Sequence, residues 1–213
     1  MKAAIALAVL AASGSAAAAG RPGFSATVDN PWFPLTPGTT FHYTGVKDGK
    51  PSRDIMTVTR RMKTIEGAPC VAVKDTLYLA GRLEERTTDW YSQDRAGNVW
   101  YFGENTEELA PDGHVATREG SWRAGVHGAK PGIFMFAKPR VGRSARQEYY
   151  KGHAEDHFQV LAVHKTTLLT KEWTPLEPGV IDHKLYRRGA GTVLEQTVKG
   201  GNERNTLVSV THS

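Results

Sequence analysis

The strongest constraint on the fold is punctuation. Beyond residue 38, short runs rich in β-branched and aromatic residues alternate with turns carrying Gly, Asp or Asn, and no segment shows a convincing amphipathic helix. Residues 39–44 form the first such run, and Lys47-Asp48-Gly49-Lys50 is a turn. Residues 54–60 alternate like a half-buried strand, Glu66-Gly67-Ala68-Pro69 turns the chain into 71–79, and Ala80-Gly81 leads to 83–93. Arg95-Ala96-Gly97-Asn98 then turns into 99–102. From Pro111 to about Lys151, Gly and Pro recur every few residues, which predicts an ordered excursion with one or two short strands rather than a helix. Strands resume at 157–163, 166–173, 180–186, 192–198 and 206–210, with Gly200-Gly201-Asn202 as a hairpin turn. Roughly ten strands in this order predict an all-β domain: an antiparallel meander forming a strongly curved sheet or barrel, with a long Gly/Pro-rich ordered loop. Closure removes exposed strand edges.

The first residues predict export. Met1 and Lys2 give a positive end, and Ala3 to Ala12 form an apolar run of about ten residues, half of the roughly 20 that cross a bilayer. Ser13-Gly14-Ser15 break the run, and Ala17 and Ala19 supply the small pair of a cleavage site after Ala19. This makes 1–19 a signal peptide and 20–213 a single β-rich domain, periplasmic or secreted. No Cys lies near the cut, so a lipid anchor is not expected, and no second apolar stretch predicts a transmembrane segment. The single Cys70 cannot close an intramolecular bridge; its run Cys70-Val71-Ala72-Val73 reads as packing, not as a nucleophile. The 27 Lys and Arg outnumber the 22 Asp and Glu but are scattered, with Arg60-Arg61-Lys63 and Arg187-Arg188 as small clusters. Nucleic-acid binders concentrate basic residues in a stripe, so that class is excluded; a weak attraction to anionic surfaces such as lipid headgroups is what the charge allows.

Several long blocks resemble a family of secreted bacterial proteins of unknown function. They are Asn30-Pro31-Trp32-Phe33-Pro34-Leu35-Thr36-Pro37-Gly38, and Asp89-Trp90-Tyr91 through Gly97-Asn98-Val99-Trp100-Tyr101-Phe102-Gly103-Glu104. Gly120-Ser121-Trp122 with Pro131-Gly132-Ile133, Gln147-Glu148-Tyr149-Tyr150, Ala154-Glu155-Asp156 and Pro175-Leu176-Glu177-Pro178-Gly179 extend the likeness over nearly the whole mature chain. The family has no established activity, so the resemblance assigns no catalytic residue. The general pattern also resembles periplasmic carriers with a curved sheet around an apolar cavity, an analogy of fold alone.

Three constellations could carry chemistry. If Ala96-Gly97 is the tip of a two-residue hairpin, Gln93 faces Trp100, Tyr91 faces Phe102 and Asp89 faces Glu104, all on one face, with Trp90 opposite Gly103 on the other. Two facing carboxylates repel unless a cation lies between them or one keeps a proton; a neighbouring Arg86 or Arg123, or a solvated edge, is the plain alternative. The run His153-Ala154-Glu155-Asp156-His157 is the densest set of metal donors: a strand puts His153, Glu155 and His157 on one face, a helical turn puts His153 and His157 on one face, and either can bind a divalent metal given one more ligand. Its order is not that of zinc proteases, and a polar turn is the plain alternative. Finally, aromatics concentrate between residues 90 and 150. Many belong to a core, but Trp90, Tyr91, Trp100, Trp122 and Tyr150 with Glu104, Gln147 and Glu148 are candidates to line a ligand pocket. Gly120-Ser121-Trp122 lacks the second glycine of a nucleophile elbow, and no phosphate-cradling loop or cofactor motif is present.

The sequence therefore supports a binding or carrier module for an apolar or amphipathic small molecule, without cofactor. The alternatives are a hydrolase-type enzyme using paired carboxylates (Asp89 with Glu104, or Glu148 with Asp156) and a divalent-metal-binding envelope protein. No catalytic residue is assigned, and the balance leans away from an enzyme.

Overall fold

The computed structural model describes residues 23–213; the predicted signal peptide lies outside the described residues. Among these residues there is no helix. After a two-residue β1 (Phe24–Ser25), five long strands follow as a meander: β2 (Thr39–Lys47), β3 (Lys50–Ile65), β4 (Ala68–Leu79), β5 (Arg82–Asp94) and β6 (Val99–Leu109). The two-residue loops Asp48-Gly49, Glu66-Gly67 and Ala80-Gly81 have positive φ at both positions, the type I′ geometry whose twist matches that of paired strands. The Gly/Pro-rich excursion contains β7 (Val115–Thr117), β8 (Trp122–Arg123), β9 (Lys130–Met135), β10 (Ser144–Arg146) and β11 (Glu148–Tyr149). This is more strand than one or two: pieces of two or three residues are too short for alternation to show in sequence. The second meander is β12 (His157–Val163), β13 (Thr167–Trp173), β14 (Ile181–Arg187), β15 (Gly191–Lys199) and β16 (Arg204–His212).

All pairings are antiparallel. The sheet runs β10-β12-β13-β14-β15-β16-β2-β3-β4-β5-β6-β9-β11, so the last strand pairs with the first long one. The ends of this path meet in 144–149: Ser144 to Arg146 pair with β12, and Glu148 and Tyr149 pair with β9. Between them the Gln147 amide donates to the Asp156 carbonyl at 2.7 Å. The sheet is thus nearly closed into a barrel, as the sequence predicts.

Residues 24–38 stop one end. β1 pairs with β5, and Trp32, Phe33 and Leu35 are buried. The buried Asn30 fixes the stopper: its Nδ2 donates to the Gly97 and Phe136 carbonyls at 2.8 and 3.2 Å, and its Oδ1 accepts from the Trp32 amide at 2.9 Å. The Asn-Pro-Trp-Phe block, legible only as a motif in the sequence, is therefore a plug. Around it lies the apolar core, with Val58, Val73, Phe102, Phe158, Leu168 and Tyr186 fully buried. Cys70 is part of it: burial pushes its thiol up to about 12, so packing is its role.

One predicted register needs correction. The β5–β6 loop has three residues, not two, because the Asp94 amide bonds to the Asn98 carbonyl and the Gly97 amide to Asp94. Gln93 therefore faces Val99, Ser92 faces Trp100 and Tyr91 faces Tyr101. A bulge then places Trp90 against the two residues Phe102 and Gly103, and restores Asp89 opposite Glu104. Gly103 has φ of 130°, and a Cβ there would lie 2.3 Å from the Trp122 carbonyl oxygen of β8. A side chain is excluded at this position by backbone on both counts.

Candidate functional site

Side chains alternate across a strand, so in a closed sheet every second residue points into the lumen. Near the plug those residues are apolar. Further along they are acidic. Asp54 of β3, Asp75 of β4, Glu85 and Asp89 of β5 and Glu104 of β6 face a cavity of about 310 Å³. Glu148 of β11, Asp156, Glu172 of β13 and Glu195 of β15 complete the belt. Nine of the chain's 22 carboxylates thus line one lumen, although the chain as a whole is net positive. Lys184 of β14 is the one basic residue in this wall.

The floor of the cavity is aromatic. Phe33 of the plug, Phe134, Tyr91 and Tyr101 form it, with Tyr91 stacked on Tyr101 at 4.7 Å and Phe33 against Phe134 at 4.5 Å between centroids. Trp122 stands edge-on to Tyr101 at 5.4 Å, behind the wall, and its Nε1 donates to Glu148 Oε1 at 3.2 Å. At the opposite end a second cavity of about 520 Å³ opens among the β2–β3 turn, Glu177, Asp182 and the 200–203 loop. The two cavities share Asp54, Asp75, Glu85, Glu195 and Asn205 as wall residues, so they are successive parts of one lumen.

Burial of so much negative charge shifts proton affinities. Burial first, then the charges of Glu85 and Asp54, push the Asp89 carboxyl up to about 7, despite the 2.6 Å hydrogen bond it receives from the Tyr101 hydroxyl. Burial and Asp156 push Glu148 up to about 8 against the Trp122 bond. Glu104 is held well above the usual carboxylate range by burial and then by Asp89 and Glu148; Asp75 is raised by burial and then by Asp54. Lys184 behaves oppositely. Burial alone would pull its ammonium down, but Glu172 and Glu195, at 3.0 and 3.1 Å, outweigh this and hold it well above the ordinary lysine value.

Several polar groups on this wall lack a protein partner, and two of the atoms, Asp54 Oδ1 and Asn205 Oδ1, are themselves buried without a hydrogen bond among the described residues. Tyr91 is 6 % exposed and Gln147 is 4 % exposed, both line the cavity, and neither the Tyr91 hydroxyl nor the Gln147 side-chain amide is hydrogen-bonded among the described residues. Buried polar groups are normally satisfied, so unpartnered atoms gathered on one cavity wall call for an explanation.

The structure gathers Tyr91, Glu104, Gln147 and Glu148 of the predicted pocket, together with Asp89 and Asp156. It does not bring Trp90, Trp100, Trp122 or Tyr150 to that wall. Trp90 carries the Lys63 ammonium over its ring at 3.9 Å; Trp100 packs edge-on to Phe24 and donates to Asp94 at 2.8 Å; Tyr150 stacks on His153. Trp100 and Phe102 therefore leave the shared face expected for them, because the longer loop shifts their parity. The metal trio is not assembled either. His153 Nδ1 contacts Glu119 at 2.8 Å, Glu155 pairs with Arg146 at 3.0 Å, and His157 stacks on Trp173. Among the described residues no group of three metal-donor side chains converges. Nor is the lumen the apolar one expected for an apolar ligand; it is aromatic at its floor and acidic above.

Sequence reasoning missed Asp54, Asp75, Glu85, Glu172, Lys184 and Glu195. A trace of them was available: Asp54 shares parity with Met56 and Val58, and Lys184 with Tyr186. A charged residue in phase with a strand's apolar face is the mark of a polar interior.

Fold and site together define a carboxylate-lined antiparallel barrel. No family model matches the chain, and no curated protein matches it. Among solved structures, it is similar to a candidate exported protein with a YmcC-like fold from Bacteroides fragilis, at 16 % identity and a TM-score of 0.47, over 84 % of this chain and 98 % of that one. It is also similar to a candidate lipoprotein from Parabacteroides distasonis, at 12 % identity and a TM-score of 0.44, over 85 % and 99 % of the two chains.

Proposed function

We propose that the protein is an exported binding module of the cell envelope that holds an amphipathic small molecule in its barrel lumen. The observation that carries this reading is the cavity of about 310 Å³ into which Tyr91 and Gln147 present polar groups without a protein partner. Small-molecule pockets begin near about 300 Å³ and combine an apolar surface with a few orienting polar groups. Here Phe33, Phe134 and Met56 supply the apolar surface. Export rests on the leader 1–19, and places the module in the periplasm or outside the cell. The test is native mass spectrometry of the mature protein recovered from the cells that make it. A processed start near Gly20 with a non-covalent adduct is the expected result. A bare chain, unaltered in thermal stability by any amphiphile or alkylammonium ion, would end the reading.

A second reading is favoured by one observation. Asp89 and Glu148, held at about 7 and about 8, each have a carboxyl neighbour (Glu104 and Asp156) on the same wall, which suits acid–base hydrolysis. Prolonged incubation with the retained molecule separates the two. Conversion to smaller products, abolished in Asp89→Asn, supports hydrolysis; an unchanged molecule supports binding.

A further inference from the structure

We propose that the occupant is a linear aliphatic polyamine, its ammonium groups distributed along the carboxylate belt and its methylene chain lying over the aromatic floor. This rests on the binding-module reading and names the chemical class of its ligand.

Four features of the lumen carry the inference. First, its anions are spread, not converged. Asp182 and Glu203 stand at the open end, Asp75 and Glu195 line the part common to both cavities, and Glu104 and Glu148 lie in the inner cavity. A single metal ion needs several donors at one point, which the described residues do not provide. A cation whose charges are separated by methylenes matches anions that are separated along a tube. Second, the two cavities join through shared wall residues, so the available space is long and admits a linear chain from the open end.

Third, the unpartnered groups fit an ammonium. The Tyr91 hydroxyl and the Gln147 amide oxygen can each accept a hydrogen bond, and an ammonium donates three. The Glu104 carboxyl likewise has no hydrogen bond or ion pair among the described residues. Fourth, the belt already holds one primary ammonium of its own. Lys184 Nζ lies 3.0 Å from Glu172 and 3.1 Å from Glu195, and so shows that the wall accommodates an alkylammonium between two carboxylates. Rings below such a site add to it, because the face of an aromatic ring attracts cations.

The experiment is isothermal titration of the mature protein with putrescine, spermidine and spermine at low ionic strength. Butylamine, decanoate and an uncharged alkyl glucoside serve as the other arms. Each further ammonium that meets a buried carboxylate is expected to tighten binding roughly tenfold, in the order butylamine, putrescine, spermidine, spermine, and added salt is expected to weaken it. The variant Glu104→Gln/Glu148→Gln is expected to lose spermine binding by at least tenfold. It should still fold, because an amide resembles the protonated carboxyl that burial favours there. Tyr91→Phe, which removes one hydroxyl without breaking a protein hydrogen bond, is expected to weaken spermine several-fold. Equal affinity for butylamine and spermine, or unchanged affinity in the folded double variant, overturns the inference. Binding of decanoate or the glucoside but of no amine overturns it while leaving the binding-module reading intact. Silence in every arm, with no adduct on native material, removes both.

Discussion

Asp89 of β5 stands directly opposite Glu104 of β6, two carboxyls on neighbouring strands facing the same lumen, and neither forms an ion pair among the described residues. The Tyr101 hydroxyl donates to Asp89 at 2.6 Å, which lowers the cost of one charge but not of two. Like charges this close resolve by sharing protons, so the barrel keeps part of its belt neutral. Stability, pH and occupancy are thereby linked.

The first expectation concerns pH. Asp89 and Glu148 are raised to about 7 and about 8, above the values of an unfolded chain. Between roughly pH 4 and those values the folded chain holds protons that the unfolded chain has released, so stability falls as pH rises. At about 1.4 kcal/mol per pKa unit held, urea unfolding should give a free energy a few kcal/mol lower near pH 9 than near pH 5. A flat profile would show that water, not burial, sets these groups.

Lys184 is the next lever. Replacing it by Met leaves Glu172 and Glu195 without their shared cation, and removing one partner of a buried pair costs about 3–5 kcal/mol. Lys184→Met is therefore expected to unfold at markedly lower urea concentration, with Lys184→Met/Glu195→Gln recovering part of the loss. Equal stabilities of the two variants would mean that the charges are screened.

The plug gives a third expectation. Asn30→Ala strands the Gly97 and Phe136 carbonyls and the Trp32 amide at once. A loss of about 2–4 kcal/mol is expected, and hydrogen exchange should quicken at the Trp32 and Phe33 amides before it does in β3 and β4. Unchanged exchange there would assign the plug's hold to packing alone.

A fourth concerns the bulge. Gly103→Ala meets both an unfavourable φ of 130° and backbone at 2.3 Å, whereas Gly113, with φ of 87°, has nothing within 4 Å. Gly103→Ala should cost at least about 2 kcal/mol and Gly113→Ala about 1 kcal/mol, as read by thermal unfolding. The reverse order would contradict the close approach of β8.

Much of the fold was legible because hairpins advertise themselves locally. The strands 157–163 and 71–79 and the turn Lys47-Asp48-Gly49-Lys50 were visible from alternation and turn chemistry, and β12 and β4 cover them. The register at Gly97 was not, since Asp94 rather than Arg95 closes the loop, and one residue of slip inverts every side chain beyond it. Asp89 opposite Glu104 was nevertheless anticipated, because the Trp90 bulge cancels the slip at that point. The trio His153, Glu155 and His157 looked like a cluster because the residues are close in sequence; in space each has its own partner.

The sequence by itself determined the class of structure: local turn geometry and period-two alternation leave an antiparallel meander as the form that satisfies backbone hydrogen bonds. It could not state the character of the interior. Asp54, Asp75, Glu85, Glu172 and Glu195 are dispersed over five strands, and each alone reads as an ordinary surface charge. Only closure through 144–149 turns their shared parity into a common wall, because which face of a sheet is inside is decided by the curvature of the whole sheet.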